Sequence, residues 1–107
     1  MEIVEYADHS GRVPFRDWLE GLRDLQGRAR IRSRLLRVAE GNLGDCRMLR
    51  SGVMELKVDF GPGYRVYLSR QGSLMIILLC GSDKSDQDSA INQAIDYLND
   101  WKQRGKP

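Results

Sequence analysis

The side chains best suited to chemistry sit in two alternating stretches near the middle of the chain. Met54, Leu56 and Val58 alternate with Glu55, Lys57 and Asp59. After a turn over Asp59-Phe60-Gly61-Pro62-Gly63, Tyr64, Val66 and Leu68 alternate with Arg65, Tyr67 and Ser69. A period of two predicts strands, with the two sets on opposite faces. Paired as a hairpin, the apolar set faces a helical layer and Glu55, Lys57, Arg65 and Tyr67 share the other, open face. Lys84 arrives just past the end of the next strand. Cations, a carboxylate and a phenol together could hold an anion and exchange protons with it. The plain alternative is cross-strand ion pairing, such as Glu55 with Arg65, worth only about 0.2–1 kcal/mol.

A second concentration of charge lies upstream. Residues 28 to 37 hold Arg28, Arg30, Arg32, Arg34 and Arg37 and no acid, although the net charge of the whole chain is only +2. At helical spacing Arg30, Arg34 and Arg37 line one flank of an apolar stripe, and Arg28 and Arg32 line the other. Such a flank suits an anionic partner, either nucleic acid or an acidic protein surface, or is simply solvated. Other candidates carry less. His9 is the sole histidine, Cys46 and Cys80 form no CxxC pair, and no Walker or dinucleotide fingerprint occurs. A zinc site is not expected. Cys80, Trp18 and Trp101 read as core residues.

The elements that must position these groups follow from periodicity. Residues 2–6 suit a short strand, and Pro14 opens a helix whose face is Phe15, Trp18, Leu19 and Leu22. That helix is expected to end before Gly27, and a second to span about 28–40 with Ile31, Leu35 and Val38 buried. The hairpin leads through Gln71-Gly72 into Leu74–Cys80, an apolar run that should be a central strand covered by helix on at least one side. A last helix is expected from near Ser85, with Asp88 completing a capping box and Ile91, Ala94, Ile95, Leu98 and Trp101 as its stripe. The prediction is an α+β domain, β-α-α-β-β-β-α, with an antiparallel sheet and helices packed on one face. At 107 residues, 30% charged and 41% hydrophobic, the chain fits one globular domain over 1–107. The apolar run is too short to span a membrane, and Met1–Glu5 lacks the pattern of a signal peptide, so a cytoplasmic protein is expected.

The segments Gly52-Val53-Met54-Glu55-Leu56-Lys57, Gly61-Pro62-Gly63-Tyr64-Arg65-Val66-Tyr67 and Cys80-Gly81-Ser82-Asp83-Lys84-Ser85-Asp86-Gln87 occur in that order. Together with Trp18-Leu19 and Gly41-Asn42-Leu43-Gly44-Asp45, the chain resembles the RelE/ParE superfamily of toxins. More narrowly it resembles the HigB-type branch of phage-related addiction module killer proteins. The resemblance covers nearly the whole chain. Position 57 is Lys where the pattern usually has Arg, which keeps the charge but loses the bidentate fork. Position 82 is Ser where Gly is common.

The resemblance implies a RelE-like fold and the toxin of a type II toxin–antitoxin module. The implied activity is ribosome-dependent cleavage of mRNA, an endoribonuclease without metal or cofactor. The implied partners are the ribosome with its mRNA and a cognate helix-turn-helix antitoxin, through whose complex alone operator DNA is bound. No membrane partner is implied. Cleavage proceeds by attack of a ribose 2′-OH on the adjacent phosphate, and a single histidine excludes a histidine pair for it. Arg65 is then expected to clamp the transition state, Lys57 and Lys84 to add positive potential, and Lys84 to donate a proton. Glu55 is the expected base, and Tyr67 would orient the nucleotide. Arg30, Arg34 and Arg37 are the expected RNA-binding residues, through phosphate contact with ribosomal RNA, with Gln87 in a positioning role. Two other readings are a ParE-like DNA gyrase inhibitor without nuclease chemistry and an inert antitoxin-binding co-repressor subunit.

Overall fold

A computed structural model describes residues 1–104. The elements run β1 (Glu2–Glu5), α1 (Pro14–Gly21), α2 (Leu25–Ala39), β2 (Cys46–Met48), β3 (Met54–Val58), β4 (Tyr64–Gln71), β5 (Met75–Asp83), a single 3-10 turn (Lys84–Asp86) and α3 (Gln87–Gln103). The strands form one five-stranded sheet in the order β1-β5-β4-β3-β2. It is mixed: β1 runs parallel to β5, and every other pair is antiparallel. The α+β class is as expected, whereas the fully antiparallel sheet is not. The two helices between β1 and the meander carry the chain across one face, so β1 joins the sheet in the same direction as β5.

Helices cover both faces, which corrects the one-face expectation. On one side Phe15 and Leu19 of α1 and Ile31 and Val38 of α2 pack over Leu56, Val58, Tyr64, Val66, Leu68, Ile76 and Leu78. On the other, Ala90, Ala94, Leu98 and Trp101 of α3 pack over Val53, Tyr67, Ile77, Leu79 and Cys80. The reason lies in β5, whose apolar residues point both ways, so a single helical layer would leave one of its faces in water. No helix among the described residues is long and apolar enough to cross a membrane.

The local differences have physical causes. The second helix starts at Leu25, not 28, because the Asp24 carboxylate caps it by accepting from the Gly27 backbone N–H at 2.9 Å. Gly27, a helix breaker by composition, is there for space: a Cβ would lie 2.7 Å from the Tyr64 ring. Tyr64 in turn donates its hydroxyl to Asp24 at 2.8 Å. The last helix is entered through Asp83, which accepts from the backbone N–H and hydroxyl of Ser85, rather than through a Ser85–Asp88 box. The edge strand β2 is unforeseen, being three residues long with a half-exposed and two exposed positions.

A bulge decides which way the end of β5 faces. Tyr67 pairs with Cys80 but Leu68 pairs with Leu78, so Leu79 is extra. One extra residue inverts the side-chain parity beyond it. Ile76 and Leu78 therefore face α1 and α2, while Cys80 and Ser82 face α3 beside Tyr67 and Arg65. Gly81 turns toward α1, where a Cβ would fall 2.2 Å from the Trp18 ring.

Candidate functional site

The hairpin register is the one that parity predicts: Glu55 lies opposite Tyr67 and Lys57 opposite Arg65. Their shared face is not open, because α3 covers it. Glu55, Arg65 and Tyr67 are 3%, 6% and 0% exposed, whereas Lys57 at the far end of β3 reaches solvent. What was expected as a wet face is therefore a buried polar cluster with an exposed mouth.

Glu55 is the hub of that cluster. One carboxylate oxygen accepts from Arg47 Nε at 3.0 Å and lies 3.8 Å from Arg65 Nε, and the other accepts from Gln87 Nε2 at 2.7 Å. Buried charge is stable only when paired in this way. Arg65 donates an Nη1 hydrogen to the Tyr64 carbonyl at 3.3 Å, but its buried Nε has no hydrogen-bond partner. Tyr67 shares a 3.1 Å hydroxyl contact with Ser82, and burial pushes its phenol above the ordinary range.

Above the cluster, a cavity of about 220 Å³ is lined by Lys57, Asp59, Gly61, Pro62, Gly63, Arg65 and Lys84. Gly63, with φ +86°, gives the chain its turn and leaves Arg65 Nη1 3.5 Å from where a Cβ would sit. Three cations and one carboxylate thus border a space wide enough for a phosphate group. Two neighbours of this group lay outside the sequence reading. Arg47 belongs to β2, which periodicity does not reveal. Asp59 reads as a turn residue, although it ends an alternation whose other polar members point the same way.

The arginine flank divides. Arg34 is turned inward, donating to the Lys57 carbonyl at 2.6 Å and the Leu43 carbonyl at 2.9 Å, so it ties α2 to β3. Arg30 places its guanidinium 4.7 Å above the Phe60 ring. With Arg37, Ser33, Val58 and Asp59 they line a second cavity of about 160 Å³. Neither Arg30 nor Arg37 forms an ion pair among the described residues. Gln87 belongs to the Glu55 cluster, not to this flank.

A larger hollow of about 520 Å³, between the β2–β3 connection and α3, is lined by Leu49, Arg50, Asp88, Ile91 and Asn92 and contains none of these groups. Cys80 lies in the core, where burial pushes its thiol up to about 12. Among the described residues no group of three or more His, Cys, Asp or Glu side chains could hold a metal ion.

No family model matches the chain. A protein of Haemophilus influenzae, described as an uncharacterized protein, is 48% identical to it over 82 residues. The chain belongs to its family. That alignment covers 77% of this chain and 83% of the relative, so the likeness extends well beyond a local motif.

Proposed function

We propose that this chain is a RelE/ParE-superfamily toxin of the HigB-type branch, a cytoplasmic, ribosome-dependent mRNA endoribonuclease paired with a helix-turn-helix antitoxin. The observation that carries the reading is the convergence of Arg65, Lys57 and Lys84 on one cavity, with Arg65 backed by Glu55. The element order, with β2 as an added edge strand, supports the RelE-like architecture.

The chemistry is phosphoryl transfer by a 2′-OH, leaving a 2′,3′-cyclic phosphate and a freed 5′-hydroxyl. The guanidinium of Arg65 has a buried, unpartnered Nε. The side chain lines the cavity, where two phosphoryl oxygens match its planar fork. Lys57 and Lys84 offset the charge that grows on those oxygens, and Lys84 protonates the leaving 5′-oxygen. Tyr67 is fully buried with its hydroxyl on Ser82, so its part is to hold Ser82 rather than to stack on a base. Glu55 has both oxygens engaged and is 3% exposed, so it acts as a positioning residue for Arg65 and Gln87. The carboxylate that borders the cavity is Asp59, and it accepts the 2′-OH proton.

The test is mapping of RNA 5′ ends in cells minutes after induction without a partner. New ends within translated codons, absent from a folded Arg65→Ala variant, are the expected result, with a rate loss of about 10²–10³-fold for the clamp. Growth arrest with intact mRNA and induced DNA damage would replace this reading with gyrase inhibition. Neither arrest nor cleavage would leave a co-repressor subunit.

A further inference from the structure

The second cavity bears on how the substrate is held. It meets the first at Asp59, which lines both. The link is also structural, since Arg34 holds the carbonyl of Lys57, whose side chain borders the first cavity. With its guanidinium committed to two backbone carbonyls, Arg34 forms a wall and leaves Arg30 and Arg37 as the cations that can meet a ligand. Phe60 is half-buried and fixed by its turn, with its N–H donating to the Val58 carbonyl and its own carbonyl accepting from Gly63. An aromatic ring with a guanidinium stacked over it offers a planar surface of the kind on which unstacked RNA bases are held, whereas an acidic helix would need no ring there.

We infer that this cavity is a nucleotide subsite for single-stranded RNA, adjoining the scissile-phosphate cavity. The phosphate on the 5′ side of the scissile one sits between Arg30 and Arg37, and its base stacks on the Arg30–Phe60 pair. Asp59, at the junction, then faces the ribose between the two phosphates. The inference rests on the endoribonuclease reading and assigns the substrate, rather than ribosomal RNA, to the α2 flank.

The experiment uses the full chain and an uncleavable 2′-O-methyl RNA trinucleotide, followed by fluorescence anisotropy. Variants are Phe60→Ala, Phe60→Leu, which keeps apolar bulk without a ring, and the double change Arg30→Gln/Arg37→Gln. Removal of the ring is expected to weaken binding about tenfold, as loss of one base stack does. The same loss should vanish when the probe carries an abasic residue at the flanking position. The arginine pair should flatten the salt dependence by about one phosphate contact. Affinity unchanged in folded Phe60→Leu and Arg30→Gln/Arg37→Gln proteins would overturn the subsite. So would a loss confined to ribosome binding, which would return this flank to ribosomal RNA. Failure of the nuclease reading shows itself separately, as intact mRNA in cells expressing the unaltered protein.

Discussion

At the scale of single residues, the two carboxylates near the cavity differ in access rather than in type. Glu55 is enclosed, and each of its oxygens already accepts a hydrogen bond. Asp59 is exposed and borders both cavities. Asp59→Asn is therefore expected to lower the rate of cleavage about 10²–10⁴-fold, the usual loss for a general base, with binding and fold preserved. Glu55→Gln is expected to act mainly through structure, because a neutral amide leaves Arg47 and Arg65 without their anion. Single-turnover cleavage and chemical denaturation of both variants separate the two. An active Asp59→Asn beside an inactive but equally stable Glu55→Gln would return the base to Glu55. Arg65, Lys57 and Glu55 were legible from parity alone. Arg47 and Phe60 were not, since an edge strand and a turn carry no periodic signal, and Asp59, though it ends the alternation, reads first as a turn residue.

At the scale of elements, β5 determines the site through its bulge. The extra residue at Leu79 sends Ser82 toward Tyr67 and turns Gly81 toward Trp18. Alternation read straight through Leu74–Cys80 would put Ser82 on the side of Ile76 and Leu78, away from Arg65. Gly81→Ala is expected to destabilise the protein by about 1–3 kcal/mol, the usual cost of overpacking. The added methyl meets the Trp18 ring, where a Cβ would fall 2.2 Å from the nearest ring atom. Urea titration followed by tryptophan fluorescence checks this, and a stability within error of the unaltered protein would mean that Trp18 moves freely.

At the scale of the molecule, two phenols join layers on opposite faces of the sheet. Tyr6, at the end of β1, donates to Asp100 of α3 at 2.6 Å, and Tyr64 of β4 donates to Asp24 at the start of α2. Burial, and then the hydrogen bond to a carboxylate, pushes both up to about 12 from an ordinary value of 10.0. A group whose pKa is raised by folding stabilises the fold below its unfolded value and loses that contribution as pH rises through the folded one. The melting temperature should therefore show no loss from these groups below pH 10 and should fall between about pH 10 and 12. Tyr6→Phe and Tyr64→Phe should each shallow that fall, as thermal denaturation across the range would reveal.

The amino-acid order by itself determined the α+β class, the hairpin register and the convergence of Glu55, Lys57, Arg65 and Tyr67, because these follow from local period and turn chemistry. It also carried the arginine flank, because spacing along one helix is a local property. Only the tertiary structure decided that α3 lies over the polar face, turning a wet cluster into a buried one with an exposed mouth. It likewise decided that Arg34 anchors two carbonyls while Arg30 and Arg37 stay free of ion pairs among the described residues. Which face a helix covers, and which guanidinium meets a carbonyl, depends on contacts between residues far apart in the chain. The energies of those contacts have no counterpart in local sequence pattern.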